Sequence, residues 1–465
     1  MRSRQAAALL TVAALALSGS ACGVKSSKKD DPAVSGAAAA AAEPLDPNTK
    51  VTISVGCQPP KTAKEFRADW DADVQAFQAK YPNITIDSKD AFPCIVPETF
   101  QAKLAGGQME DVYYVYYTDA QSIIANKQAA DITDYAAGVQ NVKDVNPLFL
   151  QTLKDAEGRL YGLPRKAYTM GLVYNRKLFS AAGLNPDSPP NTWAEVRDAA
   201  KKISALGDGV VGYGEYSAAN TGGWHFTSLL YGQGGSVTSA DGKTAAFNSP
   251  EARTVLQNLK DMRWADDSMG TKQGHRWEDL MRLLGSGKLG MMVGAPDVVT
   301  EAFNNFGAKS DDLGTTSLPE AKSSLLGGDG YMINPKASPD QIKAAILWLS
   351  FHELTVGEGQ FNHARNKASG RPVGIPENIL WGDNASGTKE KELRQQYATV
   401  PPGNFAAYEQ GSATIPPKTE PPQAQAVYAV LDTVMSAVLT REDADIDDLL
   451  AEAEKKVNAI LARTK

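Results

Sequence analysis

An α/β chain of two doubly wound lobes joined by a multi-crossing hinge is the fold class that three observations predict. At 465 residues the chain exceeds the size at which one hydrophobic core keeps growing, so two lobes are expected. Its first patterned stretch alternates strand, helix, strand, helix, strand, the order of a parallel half-sheet covered by helices. Breaks marked by Pro or Gly fall between patterned segments at 318–319 and 370–372 and read as lobe crossings.

The elements follow in order. Arg2 and Arg4 precede an apolar run over 6–17 and the small residues Ser18, Gly19, Ser20 and Ala21. A charged start, a run too short to span a bilayer and a small-residue end describe a secretory signal peptide over 1–21. Cys22 directly after it resembles the lipidated cysteine of bacterial lipoproteins, although Gly19 stands where an aliphatic residue is usual; the alternative is ordinary cleavage near Ala21, leaving a free thiol. Residues 22–48, with Lys, Ser, Asp, Pro and a run of alanines at 37–42, cannot bury a core and read as a tether. No other apolar run approaches the roughly 20 residues of a spanning helix.

Folding starts at Val51. Residues 51–55 are β-branched and read as a strand, and 63–81 as a helix with Phe66, Trp70, Val74 and Phe77 on one face. Residues 84–87 form a second strand, 97–106 a second helix and 111–117 a third strand. With Cys22 lipidated, Cys57 and Cys94 remain as an even pair in an exported chain. They follow the carboxyl ends of the first two strands, which parallel neighbours place on one edge, so a Cys57–Cys94 disulfide is expected. Residues 170–174 form a strand, and Thr192 with Glu195 opens a helix as a capping box. Residues 210–235 hold Trp224 in a Gly-rich loop. Ser249 and Pro250 start a helix over 251–266, 277–284 is a further helix and 288–293 a strand. After a Gly-rich strand at 327–334, Ser338 and Gln341 box a helix in which Trp348 is core; two helices, about 422–439 and 447–461, end the chain. The expected lobes are 49–162 plus 318–368, and 163–317 plus 369–465.

Net charge is −7, or −9 once Arg2 and Arg4 leave with the leader, which disfavours nucleic acid as a partner. Gly285 to Gly290 matches G-x-G-x-x-G, but a helix precedes it and a strand follows, the reverse of a dinucleotide site. Asp443, Asp445, Asp447 and Glu454 have calcium-loop spacing, yet Asp448 stands where the turn needs Gly; acidic residues opening a helix explain them better. The four histidines have no metal-ligand spacing, and no catalytic motif occurs. No metal, no cofactor and no enzyme activity are expected.

Aromatic faces plus hydroxyl-binding polar groups are what a sugar ring requires. The loops beyond strand ends supply them: Gln58; Tyr116, Tyr117 and Asp119; Arg165 and Tyr168 from the crossover; Asn220, Trp224 and Asp297 from the second lobe; Asp329 on the return strand.

The crossover over 160–184, LYGLPRKAYTMGLVYNRKLFSAAGL, the Thr192-Trp193 cap, the Gly290 to Gly294 strand and the Gly328 to Pro335 return resemble the sugar-binding solute receptors of ABC importers, over nearly the whole mature chain. The resemblance implies a two-lobed periplasmic-binding-protein fold and a monomeric, lipid-anchored receptor on the extracytoplasmic face of the cell membrane. It would bind a small molecule, a sugar or oligosaccharide, and pass it to an ABC permease. Against maltodextrin-type members, Asp119 keeps an Asp, Tyr116 replaces a Trp and Tyr168 a Glu. Gly294-Ala295-Pro296-Asp297 replaces Gly-Pro-Trp, and Val427 falls where a stacking Trp stands, leaving Trp224 and Trp381 to supply rings. An envelope carbohydrate-active enzyme, and on the same fold a sensor partner or a receptor for a non-sugar such as a polyol, polyamine or peptide fragment, are the alternatives.

Overall fold

The computed structural model describes residues 43–90, 94–95 and 97–463; the leader, Cys22 and most of the tether lie outside them. Among the described residues no helix is long and apolar enough to cross a membrane.

Among the described residues ten strands form two sheets. The first holds β1 (Val51–Gln58), β2 (Ile84–Asp90), β3 (Val112–Tyr116), β4 (Gly162–Thr169), β9 (Ser324–Ile333) and β10 (Pro417–Lys418). Its order is β10-β9-β3-β1-β2, with β4 also on β9. β1 pairs in parallel with β2 and β3, as the alternating pattern requires, and the return strand β9 runs antiparallel to β3 and β4. The second sheet, in the order β6-β7-β5-β8, holds β5 (Gly171–Asn175), β6 (Val211–Gly214), β7 (Leu289–Gly294) and β8 (Leu313–Ser317).

Each sheet has its own core. Around the first pack Ile53, Val55, Phe77 and the helix Pro339–Leu354, where Trp348 is fully buried at 5.6 Å from Trp70 and 5.3 Å from Phe77. Phe66 does not join them: it is exposed, with the Arg371 guanidinium over its ring. On β5 the period of two is plain, since Leu172 and Tyr174 face one core and Val173 the other side of the sheet. Cys57 and Cys94 form the expected disulfide, with Cα atoms 4.7 Å apart; β1 slips register beside it, between Val55 and Gln58.

Sheet membership shifts the lobe boundaries. β4 belongs to the first sheet and β5 to the second, so the first crossing is at Met170, not at 162–163. Gly162-Leu163-Pro164 reads as a turn but is strand, because Pro164 needs no ladder donor there and a bulge follows it. By sheet membership the second crossing falls between Ser317 and Ser324. The third is spread along the chain: Leu380 and Trp381 pack in the first core, while Ile375, Val400 and Phe405 pack under the second sheet.

The crossings meet side by side. Met170 N donates to Ser324 Oγ at 2.9 Å, and that hydroxyl donates to Met170 O at 3.0 Å. Tyr408 Oη donates to Thr169 O at 2.7 Å. A side chain at Gly171 would sit 2.4 Å from Thr316 O and 2.9 Å from the Tyr408 ring, so glycine is required at this joint.

Candidate functional site

β3 ends at Tyr116, directly across from Asp329 on β9. On the other flank of β9, Pro164 faces Gly330 and Lys166 faces Asp329, leaving Arg165 as the extra residue of a β-bulge. A bulge re-aims a side chain. Here the Arg165 guanidinium grips Asp329 at two points, Nε to Oδ1 at 2.6 Å and NH2 to Oδ2 at 2.8 Å, and lies 5.5 Å from the Tyr114 ring centroid. Gly328, at φ +155°, lets the Tyr117 ring approach; a Cβ there would meet that ring at 2.6 Å and Lys166 O at 2.3 Å.

The second lobe answers from three places. Asp297 opens the helix Asp297–Phe306 after β7, and Lys166 Nζ reaches it from β4 at 3.7 Å while lying 3.3 Å from Glu377. Thr300 donates to the other Glu377 oxygen, so this carboxylate on the third crossing touches both lobes. The segment expected as a Gly-rich loop is the helix Thr221–Gly232. Its glycines serve packing: a Cβ on Gly223 would lie 2.2 Å from Tyr428 O, and Asp432 accepts from Gly222 N at 2.8 Å. That close fit against the helix Ala424–Thr440 brings Trp224 Nε1 to 3.2 Å from Glu420, whose other oxygen accepts from Tyr428. Across the gap, Gln425 Nε2 donates to Thr118 Oγ1 at 2.9 Å.

Electrostatics bind the set together. Burial pushes Glu420 up to about 7, against the Tyr428 and Trp224 hydrogen bonds and with help from the Asp119 charge. Burial also raises Asp119, opposed by hydrogen bonds from Thr118 and Gln425. Tyr168 is raised well above its ordinary value by burial and then by Asp297, Asp329, Glu420 and Tyr116, which places it among carboxylates of both lobes.

The structure therefore places Tyr116, Asp119, Arg165, Tyr168, Trp224, Asp297 and Asp329 where side chains of the two lobes meet. Tyr116 is the exposed ring among them, at 42%. Asn220 caps the Trp224 helix in the left-handed region, φ +66°, with its amide 3.5 Å from Gln425. Gln58 and Tyr117 stand differently. Gln58 is buried at the β1–β2 edge beside Arg67, Asp71 and Asp90, all of its own lobe, and Tyr117 is buried in the first core. Trp381 supplies no cleft ring: it is 8% exposed and packs on Phe361 at 4.4 Å. Val427 is fully buried. Lys166, Glu377, Gln425 and Glu420 carry no periodic signal; Lys166 adjoins Arg165 in the crossover, and Glu420 sits between Thr419 and two prolines. Gly285 ends a helix and Gly287 turns at φ +68° into β7. Asp445 caps the last helix by accepting from Asp448 N at 3.1 Å.

A profile of the bacterial extracellular solute-binding proteins matches residues 60–353, more than half of the chain. The chain belongs to that family. This solute-binding protein is similar to the sn-glycerol-3-phosphate-binding periplasmic protein UgpB of Yersinia enterocolitica, 25% identical over 274 residues, which are 54% of this chain and 58% of that relative. It spans about half the length of the curated relatives it matches. Among solved structures, the cyclic α-maltosyl-1,6-maltose binding protein of Arthrobacter globiformis is 23% identical with a TM-score of 0.68, over 89% of this chain and 99% of that one. UgpB of Mycobacterium tuberculosis, solved with glycerophosphocholine, is 17% identical with a TM-score of 0.69 and the same coverage. At these identities the likeness speaks for the fold, the two-lobed periplasmic-binding-protein fold.

Proposed function

We propose that this solute-binding protein is the extracytoplasmic receptor of an ABC importer, that it binds a sugar, oligosaccharide or related polyhydroxyl solute in the interlobe cleft, and that it catalyses nothing itself. One observation carries the reading. Polar side chains of both lobes converge on the same gap as the exposed Tyr116 ring and the half-buried Trp224 ring, with Lys166 beside Asp297 and Gln425 on Thr118 bridging it. Rings for a sugar face and paired acceptors for its hydroxyls are the chemistry such a solute needs. A ligand touching both walls favours the closed arrangement by its differential affinity for it.

Both cleft cations, Arg165 and Lys166, already hold carboxylates, which disfavours a phosphate ligand of the kind named for the UgpB relatives. We further propose that the chain is monomeric and that Cys22 is lipidated and anchors it to the cell membrane, with 23–48 as the tether.

A thermal-shift screen of the purified protein against sugars, polyols, amino acids and polyamines tests the reading. A ligand of the folded form stabilises it by about 2.7 kcal/mol at a hundredfold excess over its Kd. Trp224→Ala and Asp119→Ala are each expected to weaken the responding ligand at least about tenfold, 1.4 kcal/mol. Wild-type affinity in both would remove the cleft assignment, and turnover of a glycan by the purified protein would replace the receptor with an enzyme.

A further inference from the structure

We propose that Gln360, just ahead of the third crossing, and Asn378, within it, are positioning residues: their side-chain amides fix the backbone of Arg165, and with it the guanidinium edge that meets the solute. The second half of the proposal rests on the receptor reading above.

Among the described residues β4 pairs with β9 alone, so its other edge has no strand beside it. On that open edge the two amides supply the partners. Arg165 O accepts from Gln360 Nε2 at 2.7 Å and from Asn378 Nδ2 at 2.9 Å, which uses both lone pairs of the carbonyl. The Asn378 amide also accepts from Ala167 N at 3.2 Å, and the next residue, Ile379, donates its N–H to Ala167 O at 2.9 Å. One side-chain amide thus does for Arg165 and Ala167 what the peptide group of a neighbouring strand does in a sheet. Gln360 ties the same carbonyl to the helix Pro339–Leu354. Its Nε2 donates as well to Glu353 O at 2.9 Å, one of the last carbonyls of that helix, which lack a partner within it.

What these amides hold is the bulge that aims Arg165. A bulged residue has no ladder position of its own, so the direction of its side chain depends on whatever fixes its backbone. Asp329 engages Nε and NH2 of the guanidinium, and NH1 has no hydrogen-bond partner among the described residues, on a side chain that is 29% exposed. A guanidinium is planar and its donors form a rigid fork. With two of its nitrogens gripped, the NH1 donors have one direction, and a solute oxygen has to come to them. Asp329 balances the charge, so the contact selects for the placement of an oxygen and not for an anion. Glu377, the residue before Asn378, accepts from Thr300 of the second lobe, so the support under Arg165 belongs to a stretch that also touches the opposite lobe.

The first test follows the Nε–H group of Arg165 in the purified protein by heteronuclear NMR in mildly acidic buffer, its signal assigned through Arg165→Lys. Gln360→Met and Asn378→Leu keep size and remove the donors. Each is expected to speed hydrogen exchange at the Arg165 Nε–H at least about tenfold, while the Nε–H groups of Arg159 and Arg197, bonded to Asp155 and Asp266, keep their wild-type rates. Unchanged exchange at Arg165 in both variants overturns the positioning role, and so does an equal rise at all three arginines, which would make the amides general supports of the fold. The same variants and Arg165→Lys are then titrated calorimetrically with maltose, maltotriose, D-mannitol and ribitol. A probe that binds the wild type is expected to bind each variant at least about tenfold more weakly. Wild-type affinity in Arg165→Lys, or in variants whose Arg165 has been loosened, overturns the contact with the solute and leaves the receptor standing. Binding of none of the four by the wild type overturns that contact together with the sugar reading, while the exchange rates still decide the positioning role.

Discussion

Glu420 is a carboxylate that folding makes reluctant to ionise. Its folded value of about 7 lies above the ordinary 4.5, chiefly because burial beside Trp224 and Tyr428 disfavours the charge, with Asp119 adding repulsion. Between those two values the folded chain binds more protons than the unfolded one, so stability falls as pH rises from about 4.5 to about 7, and the penalty is fully present above 7. Gln cannot titrate. Glu420→Gln is therefore expected to gain melting temperature relative to wild type at pH 8 compared with pH 5, on the order of 2 °C for a chain of this size; a difference independent of pH would contradict it. Residues of this kind were the hardest to read from the sequence. Tyr116, Asp119, Arg165 and Asp329 stand at strand ends and a crossover, where the sequence pattern expects a ligand. Glu420 and Lys166 were not legible, because their roles come from partners far along the chain.

Elements with explicit end signals were legible. The Thr192 box forms as read, Glu195 N donating to Thr192 Oγ1 at 3.2 Å and Thr192 N to Glu195 Oε2 at 3.1 Å, and the Ser338 box forms with Gln341 in the same way. Thr192→Ala is expected to cost about 1 kcal/mol in denaturant unfolding, whereas Thr192→Ser keeps the hydroxyl and should restore most of it. What misled was chemistry with two meanings. Gly222 and Gly223 look like a loop, yet they let two helices touch, and so Trp224 stands on a rigid helix rather than a mobile loop. Pro164 looks like a turn, yet β4 accommodates it and spends its bulge on aiming Arg165. The two-residue strand β10 pairs only with Ser324 and Leu325, too short a segment for any period to reveal.

At the scale of the whole chain, two lobes and their crossings followed from length and alternation, while the boundaries depended on which sheet each strand joined. The Cys57–Cys94 bridge lies wholly in the first lobe and closes a loop with a sequence separation of 37. By loop-closure entropy it contributes at most about 4 kcal/mol. Because each sheet has a separate core, Cys57→Ser with Cys94→Ser is expected to lower the unfolding transition reported by Trp70 and Trp348 and to leave that of the second lobe in place, read by residue-resolved hydrogen exchange or differential calorimetry. A uniform shift of both would mean that the lobes unfold as one.

The joint at Ser324 has a further consequence. A backbone ladder fixes each N–H against one carbonyl, but a hydroxyl swivels about its own C–O bond and can follow its partners. Met170 and Ser324 are tied through such a rotor, accepting on one side and donating on the other. If the proposed receptor opens by a swing between its lobes, a joint of this kind would keep its tie while the two crossings turn, where a rigid ladder would have to break.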